Sequence, residues 1–229
     1  MNAAILLSGG VGTRIGADIP KQYITVEGKT IVSYTLSGLI ENTFVDAIWI
    51  VADSSWNETI ISDVDTSKIK GFSLPGKNRQ LSIYNALRDM SDRVSDDDVI
   101  LIQDAVRPLT PQQTITDCLT KIDGHDGALP VLPMKDTIYF SENGSSISSL
   151  LDRGKLFAGQ APEAYRYGKY KRACEALLPD EILNINGAAE PAVLAGMDVA
   201  IFPGDEGNFK ITTAEDLKRF TMTINGEGL

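Results

Sequence analysis

A glycine-rich loop near the N-terminus, followed by two basic side chains, carries the clearest chemical signal of the sequence. Glycines directly after a buried strand let backbone N–H groups turn toward an anion without obstruction by side chains. Arg14 and Lys21 add fixed positive charge where a triphosphate would lie. The pattern predicts nucleotide binding, although a tight strand-to-helix turn without a ligand has the same glycine content. The residues expected to form the loop are Ser8, Gly9, Gly10, Gly12 and Thr13.

Two better-known glycine motifs are excluded by their spacing. A GxGxxG dinucleotide fingerprint that uses Gly10 and Gly12 needs a third glycine where the sequence has Ile15. The tripeptide 28–30 resembles the end of a P-loop, but Tyr23 stands where that motif needs its first glycine. The nucleotide hypothesis therefore belongs to neither of these classes.

Further candidates for phosphate or metal chemistry follow later apolar segments. Asp104 and Arg107 come after the run 99–102 and would hold Mg²⁺ and an anion, or else form a structural ion pair. Lys210 follows the last apolar run, and a lysine on its own is often only solvated. Thr213 is a predicted helix N-cap.

Arg79 and Ser82 lie in a segment, 76–82, that opens a helix after a Pro-Gly turn, and its N–H groups and hydroxyls would face the same edge. The acidic run 96–98 precedes its strand, so metal binding there is disfavoured. His125 is the single histidine, and it lies in a turn-like stretch where we expect it to be exposed. Nucleophilic catalysis by a Ser–His–Asp or Cys–His arrangement is therefore not supported.

Alternating strand-like and helix-like segments must position these residues. Such alternation indicates βαβ units and an α/β fold with a mostly parallel sheet, in which ligands bind beyond the carboxyl ends of the strands. A hairpin signature within 134–158 breaks the pattern and predicts a β-arm that protrudes from a single domain, 1–229. The predicted strands are 3–7, 47–51, 99–102, 127–132 and 199–202, and the predicted helices are 31–39, 80–90 and 111–122.

Composition restricts the location and the partners. The hydrophobic fraction is 43%, no apolar run is long enough to span a membrane, and no signal peptide precedes the first strand, so we expect a cytoplasmic protein with no membrane partner. A net charge of −10 argues against a nucleic-acid polymer as partner and suits a locally basic pocket for a small phosphorylated substrate. Cys118 and Cys174 support neither a disulfide framework nor a zinc site, and we expect both thiols to be buried or incidental.

Several blocks along the whole chain together resemble one enzyme family. In order they read SGGVGTRIG, PKQY, GKNRQLSIYNAL, QDAVRP, DTIY, DRGKLFAGQAPEAY and NFKITTAEDL. They are similar to the cytidylyltransferases that act on 2-C-methyl-D-erythritol 4-phosphate in isoprenoid biosynthesis, and to their relatives that make CDP-ribitol for cell-envelope polymers. The resemblance implies a Rossmann-like nucleotidyltransferase fold, CTP as substrate, Mg²⁺ as cofactor and a homodimer whose arms embrace.

The same resemblance implies roles for individual residues. Arg14, Lys21 and Lys210 would be catalytic, because they neutralise the triphosphate and the charge that develops at the α-phosphorus. Asp104 would help hold Mg²⁺. The residues implied to bind the nucleotide are the loop residues named above with Arg79 and Ser82, and those implied to bind the polyol phosphate are Arg107, Thr137 and Arg153.

The implied reaction is in-line attack by a phosphate oxygen of a polyol phosphate on the α-phosphorus of CTP, which releases pyrophosphate. An ionised phosphate is already nucleophilic, so catalysis reduces to positioning two anions and stabilising charge. A general-base histidine is therefore not required.

Three departures from the family pattern concern the acceptor. Gln103 stands where the family usually has histidine, and Glu163 ends a QTPQ-type block near the base of the arm. Glu190 is the single carboxylate in a stretch where the family commonly shows a Thr-Asp pair. Small features, including Val106 and the sequence DTIY, favour ribitol 5-phosphate, with 2-C-methyl-D-erythritol 4-phosphate as the alternative.

Two hypotheses from other classes share part of the pattern. A sugar-1-phosphate nucleotidyltransferase would have a similar glycine loop and Lys21-type cation but would use UTP or dTTP. A catalytically inactive nucleotide-binding module would keep the fold and lose Asp104 or Lys210, and both residues are present.

Overall fold

The computed structural model describes residues 1–10 and 19–226. Eight of its strands form one sheet in the order β10-β7-β11-β6-β1-β4-β5, with β12 paired to β7. The strands are β1 (Asn2–Leu7), β2 (Thr25–Val26), β3 (Lys29–Thr30), β4 (Ala47–Val51), β5 (Ile69–Ser73), β6 (Val99–Asp104), β7 (Gly127–Pro133), β8 (Ile138–Phe140), β9 (Ser149–Leu151), β10 (Phe157–Gly159), β11 (Glu163–Arg166) and β12 (Val199–Pro203).

Helices cover both faces of this sheet. Five of the longer ones are α1 (Ile31–Glu41), α3 (Arg79–Asp89), α4 (Gln112–Lys121), α5 (Tyr167–Glu175) and α7 (Ala214–Ile224), and two short ones are α2 (Asn57–Ile61) and α6 (Ala189–Leu194). Single 3₁₀ turns lie at Lys21–Tyr23, Ser54–Trp56, Arg153–Lys155 and Glu181–Asn184.

Alternation along the central strands explains the two larger of the hydrophobic clusters. Ala3 and Ile5 of β1 pack in the cluster that contains α3 and α5, whereas Ala4 and Leu6 pack in the cluster of α1 and α4. Successive side chains of a strand point to opposite faces, so a continuous apolar run requires cover on both sides. The predicted α/β fold with a mainly parallel sheet is thereby confirmed.

The direction of the strands determines where functional groups gather. β1 pairs in parallel with β4 and β6, and their carboxyl ends therefore lie at one edge. β11 and β10 are exceptions: β11 runs antiparallel between β6 and β7, and β10 pairs antiparallel with β7. The predicted cap of α7 is present: the Thr213 side chain accepts from the Asp216 N–H, and Asp216 accepts in return from the Thr213 N–H.

The hairpin of β8 and β9 pairs with no other strand in the described ranges. It begins after β7 and returns to the sheet at β10, which pairs antiparallel with β7. No helix within 1–10 or 19–226 is long and apolar enough to cross a bilayer.

Candidate active site

A pocket of about 470 Å³ lies at the carboxyl ends of β1 and β6. It is where the strand directions predict ligand binding. Its lining comes from the first glycine loop, the segment before α3, the end of β6 and the segment before α7. The lining residues are Leu7, Gly9, Gly10, Lys21, Gln22, Gly76, Lys77, Asn78, Arg79, Ser82, Asp104, Val106 and Lys210.

Hydrogen bonds from the side chains of Gln22 and Tyr23 hold the start of the first glycine loop in place. Gln22 Nε2 donates to the carbonyl oxygens of Ser8 and Gly10, at 2.7 Å each. The Ser8 hydroxyl is buried against that of Tyr23, so Ser8 supports the loop and does not line the pocket. A Cβ at Gly9 would lie 2.6 Å from the Pro75 ring, which explains the glycine. Gly12, Thr13 and Arg14 lie outside the described residues.

A second loop brings the N-terminus of α3 to the pocket. Asn78 caps the helix, because its Oδ1 accepts from the Leu81 N–H at 2.8 Å. The Ser82 hydroxyl donates to the Asn78 carbonyl at 2.8 Å and accepts from the Gly76 N–H at 3.0 Å. A Cβ at Gly76 would lie 2.4 Å from Leu81 Cβ. The backbone from 76 to 78 is thus held tightly against the helix end.

The floor of the pocket is a buried cluster of charges centred on Asp104. Arg79 donates through Nη2 to Asp104 Oδ1 at 3.1 Å, and Lys210 Nζ lies 3.0 Å from Oδ2. Arg107 Nε lies 3.6 Å from the same Oδ2. Lys21 is adjacent to this cluster, since its Nζ donates to the Ile211 carbonyl at 2.7 Å. The fold therefore gathers four of the predicted cations and the predicted carboxylate.

These charges determine the protonation of Asp104. Burial by itself raises the pKa of this carboxyl, but attraction by Arg79, Lys210 and Arg107 outweighs burial and holds the pKa well below its usual range. Asp104 is consequently ionised at neutral pH, as a ligand for a cation must be.

Glu163 takes a place that the sequence did not indicate. It is the first residue of β11, and its carboxylate lies 4.0 Å from Arg79 and accepts from the Tyr165 hydroxyl at 2.6 Å. Burial raises its pKa, and the attraction of Arg79 and the bond from Tyr165 offset only part of that effect. The pairing of β11 with β6 brings Glu163 beside Arg79, at the edge of the Asp104 cluster.

Arg107 is held by Asn208 and lies behind the pocket lining. Its Nη1 donates to the Asn208 carbonyl at 2.6 Å. The fully buried Asn208 also donates through Nδ2 to the Ala161 carbonyl at 2.8 Å and accepts from the Thr110 hydroxyl at 3.0 Å. Gln103 joins this network by donating to Thr110 Oγ1 at 2.9 Å. The segment that carries Lys210 is therefore anchored two residues before the lysine.

The arm residues are not brought into this pocket. Thr137 is exposed just before β8, and Arg153 donates through Nη1 to the Lys135 carbonyl at 2.7 Å. Glu190 caps its own turn, since its Oε2 accepts from the Asn186 N–H at 2.9 Å. Both cysteines are free and buried, as expected.

The donor set of the pocket is suitable for Mg²⁺ that is bound partly by a substrate. Within the described ranges, no cluster of three or more Asp, Glu, His or Cys side chains is arranged around a cation. Mg²⁺ typically retains waters and binds through one or two carboxylates together with phosphate oxygens. Asp104, ionised and lining the pocket, meets that requirement.

Sequence reasoning missed the supporting residues more than the pocket residues. Two of these lie inside blocks that the resemblance covered: Gln22 directly follows Lys21, and Asn208 comes two residues before Lys210. An amide side chain within two residues of a predicted ligand is the signal that could have identified both.

Comparisons with known proteins agree with this architecture. The family described as "IspD: 2-C-methyl-D-erythritol 4-phosphate cytidylyltransferase" matches residues 2–225. The chain is 34% identical to 2-C-methyl-D-erythritol 4-phosphate cytidylyltransferase of Geotalea uraniireducens (strain Rf4), with 98% of each chain covered. It is 30% identical to ribitol-5-phosphate cytidylyltransferase of Lacticaseibacillus paracasei (strain ATCC 334), over 100% of both chains.

A solved structure supports the same assignment. The crystal structure of 2-C-methyl-D-erythritol 4-phosphate cytidylyltransferase from Francisella tularensis superposes with a TM-score of 0.81 at 25% identity, and 99% of each chain is covered. Sequence, fold and pocket agree, and the chain belongs to the 2-C-methyl-D-erythritol 4-phosphate cytidylyltransferase family.

Proposed function

We propose that this chain transfers the cytidylyl group of CTP to the phosphate of a polyol phosphate, with ribitol 5-phosphate as the first candidate acceptor. The observation that carries the proposal is the Asp104 cluster, because it places Arg79 and Lys210 beside a glycine loop and a helix N-terminus. Cations and backbone N–H groups at one edge of a parallel sheet suit a nucleoside triphosphate.

The chemistry requires no covalent intermediate. A phosphate oxygen of the acceptor attacks the α-phosphorus of CTP in line, the bond from that phosphorus to the bridging oxygen breaks, and pyrophosphate leaves. The acceptor is already ionised, so no side chain must remove a proton. His125, the single histidine, lies outside the pocket lining and pairs with Asp198 on the surface.

Lys21 and Lys210 would stabilise the negative charge that increases on the triphosphate during this step. Ammonium groups that contact the phosphates once the nucleotide is bound cost little further reorganisation in the transition state. Arg14 is proposed to act with them on the basis of the resemblance. The first glycine loop would bind the phosphates, and Arg79 and Ser82 would lie beside the cytidine.

Mg²⁺ is the proposed cofactor, with Asp104 as its protein ligand. When bound, it would neutralise part of the triphosphate charge. Arg79 and Arg107 would keep Asp104 ionised and oriented toward the pocket, as they do in the free protein.

Other residues would bind the acceptor. Arg107, Thr137 and Arg153 are the proposed contacts to the polyol phosphate. Arg107 lies beside Asp104 just behind the pocket lining. Thr137 and Arg153 flank the exposed hairpin, so a second subunit would have to bring them to the acceptor. The exposed apolar side chains of the hairpin, Tyr139 and Leu150 among them, support a homodimer formed through the arm. We propose a cytoplasmic location for the enzyme.

The alternative acceptor is 2-C-methyl-D-erythritol 4-phosphate. The family description and the Geotalea relative favour it, whereas the Lacticaseibacillus relative and the sequence features named above favour ribitol 5-phosphate. These acceptors place the product in isoprenoid or cell-envelope polymer biosynthesis.

An acceptor panel separates these possibilities. Purified protein with Mg²⁺ and CTP is assayed for pyrophosphate release with ribitol 5-phosphate, 2-C-methyl-D-erythritol 4-phosphate and glycerol phosphates in separate reactions. Turnover with ribitol 5-phosphate alone supports the first candidate, and turnover with the methylerythritol substrate alone supports the alternative. UTP or dTTP used in preference to CTP would contradict the proposal.

A further inference from the structure

Both carboxylate oxygens of Asp104 are already engaged by cations of the protein. Oδ1 accepts from Arg79 at 3.1 Å, and Oδ2 lies 3.0 Å from Lys210 and 3.6 Å from Arg107. The side chain is 9% exposed. A divalent cation that uses Asp104 must therefore displace one of these partners or bind beside it.

The three partners differ in how firmly other groups hold them. Arg79 also faces Glu163, and the side chain of Arg107 is 12% exposed and bonded to the Asn208 carbonyl. The Lys210 side chain is 36% exposed, and within the described residues its one ion pair is with Asp104. A lysine ammonium on a flexible stem can leave a partner with little rearrangement. Lys210 is therefore the cation that can move.

The geometry points to a competition. We propose that Lys210 and the divalent cation are alternative partners of Asp104 Oδ2, so that the free protein binds the metal weakly and acquires it together with the nucleotide. An ammonium and a metal ion in contact with the same oxygen repel each other strongly in a partly buried site. The phosphates supply ligands to the metal and new partners for Lys210. The part of the proposal that involves the nucleotide rests on the proposed function.

The charge balance of the floor favours such an exchange. With Lys210 withdrawn, Asp104 retains Arg79 and Arg107, so the carboxylate never becomes an isolated buried charge. A withdrawn Lys210 remains in the pocket, because it lines the same cavity as Lys21. One side chain can thus neutralise Asp104 before substrate binding and the triphosphate afterwards.

The test is direct binding of Mn²⁺, as a spectroscopic substitute for Mg²⁺, to the full chain without nucleotide. Electron paramagnetic resonance gives free Mn²⁺ for the wild type and for Lys210→Met, Lys210→Arg and Lys77→Met. We expect Lys210→Met to bind Mn²⁺ at least about tenfold more tightly than the wild type. Lys210→Arg keeps a cation on Oδ2 and should bind as weakly as the wild type.

Lys77→Met is the matched control. Lys77 lines the same pocket and makes no ion pair with Asp104, so its loss changes the general charge but not the competition. We expect at most about a threefold gain from this general effect. Equal gains for Lys77→Met and Lys210→Met would overturn the proposal, as would unchanged affinity in Lys210→Met.

A double variant locates the gained affinity. Asp104→Asn combined with Lys210→Met should lose the tighter binding, whereas retained tight binding would place the metal elsewhere and overturn the proposal. Circular dichroism melts verify folding, and Lys210→Gln replaces Lys210→Met if the latter does not fold. The assay contains neither CTP nor acceptor, so its outcome and that of the pyrophosphate assay are independent.

Discussion

The pocket floor and the arm are organised in opposite ways. On the floor, Asp104 and Glu163 are nearly buried, and both carboxylates pair with Arg79 from a distant segment of the chain. On the arm, Tyr139 and Leu150 are paired across the hairpin yet are 56% and 66% exposed. The charges of the floor are paired within one chain, whereas the arm presents apolar surface that the described residues leave uncovered.

The floor and the arm therefore meet different physical requirements. A triphosphate needs positive charges at defined positions, and the buried carboxylate of Asp104 holds Arg79 and Arg107 in place. The arm can be completed by a second copy, since exposed apolar surface favours association. The same separation predicts which substitutions affect stability, which affect turnover and which affect assembly.

Asp104→Ala should have the largest effect, because it removes the carboxylate at the centre of the charged cluster. The three cations that surround Asp104 lose their common partner, and we expect a loss of about 3–5 kcal/mol in the free energy of unfolding together with loss of pyrophosphate release. Urea denaturation at pH 7 measures the first effect. Glu142→Ala, on the exposed hairpin loop, is the control and should change stability by less than about 0.5 kcal/mol. Similar losses in both variants would contradict the comparison.

Lys21→Ala and Lys210→Ala should reduce turnover far more than stability. Each removes a charge that acts on the triphosphate, and removal of one such group typically costs about 10²–10³-fold in rate. Steady-state pyrophosphate release measures turnover, and thermal melts verify folding. Lys29→Ala removes an exposed charge outside the pocket and should leave the rate unchanged. Wild-type turnover in either pocket variant, with folding intact, would refute the role of that lysine.

A substitution on the arm should change assembly and leave the fold intact. Replacing Tyr139 and Leu150 together by serine removes apolar surface from paired positions of the hairpin, and we expect the proposed dimer to dissociate while the melting temperature changes by only a few degrees. Sedimentation velocity measures the mass. Ile201→Ser, an exposed apolar position on β12, should remain dimeric. A monomeric wild type, or a variant that stays dimeric, would contradict the role of the arm.

Glu163→Gln should have the smallest effect, and its sign distinguishes Glu163 from Asp104. Burial raises the pKa of Glu163 in the folded state, so its contribution to stability is present below its ordinary value of 4.5 and is lost as the pH rises through the folded pKa. The variant should therefore gain stability relative to the wild type as the pH increases from about 4. For Asp104 the pKa is lowered, and its contribution is lost only as the pH falls.

Urea midpoints of the wild type and Glu163→Gln between pH 4 and 8 measure this difference. Glu142→Gln, on the exposed hairpin loop, is the matched control for the loss of one carboxylate. A difference for Glu163→Gln that stays constant, or that grows toward acid pH, would contradict the assignment of a raised pKa.

Much of the fold could be predicted from apolar runs. The strand 47–51 was predicted with the bounds that β4 has, and β1, β6, β7 and β12 differ from prediction by one or two residues at an end. Such runs are apolar because helices cover both faces. β5 and β11 were missed because their residues are mixed in polarity, and β10 because it has only three residues. The rest of the sheet supplies the pairing of all three strands.

The position of the pocket could be predicted from the order of the strands. The residues that hold its charged side chains in place could not. Asp104 and Lys21 follow or flank recognisable elements, so the parallel sheet brings them to one edge. Glu163 joins them because β11 pairs antiparallel with β6, and no local sequence pattern predicts that pairing. Asn208 anchors the Lys210 segment through contacts with distant segments, which sequence spacing does not reveal.

A crystal structure of the protein with CTP and Mg²⁺ tests the central claim most directly. We predict the triphosphate between the first glycine loop and Lys21, the cytidine beside Ser82, and Lys210 moved from Asp104 to the phosphates. A nucleotide bound away from this pocket, or bound in it with the ion pair between Lys210 and Asp104 unchanged and the metal in contact with the same Oδ2, would contradict the account.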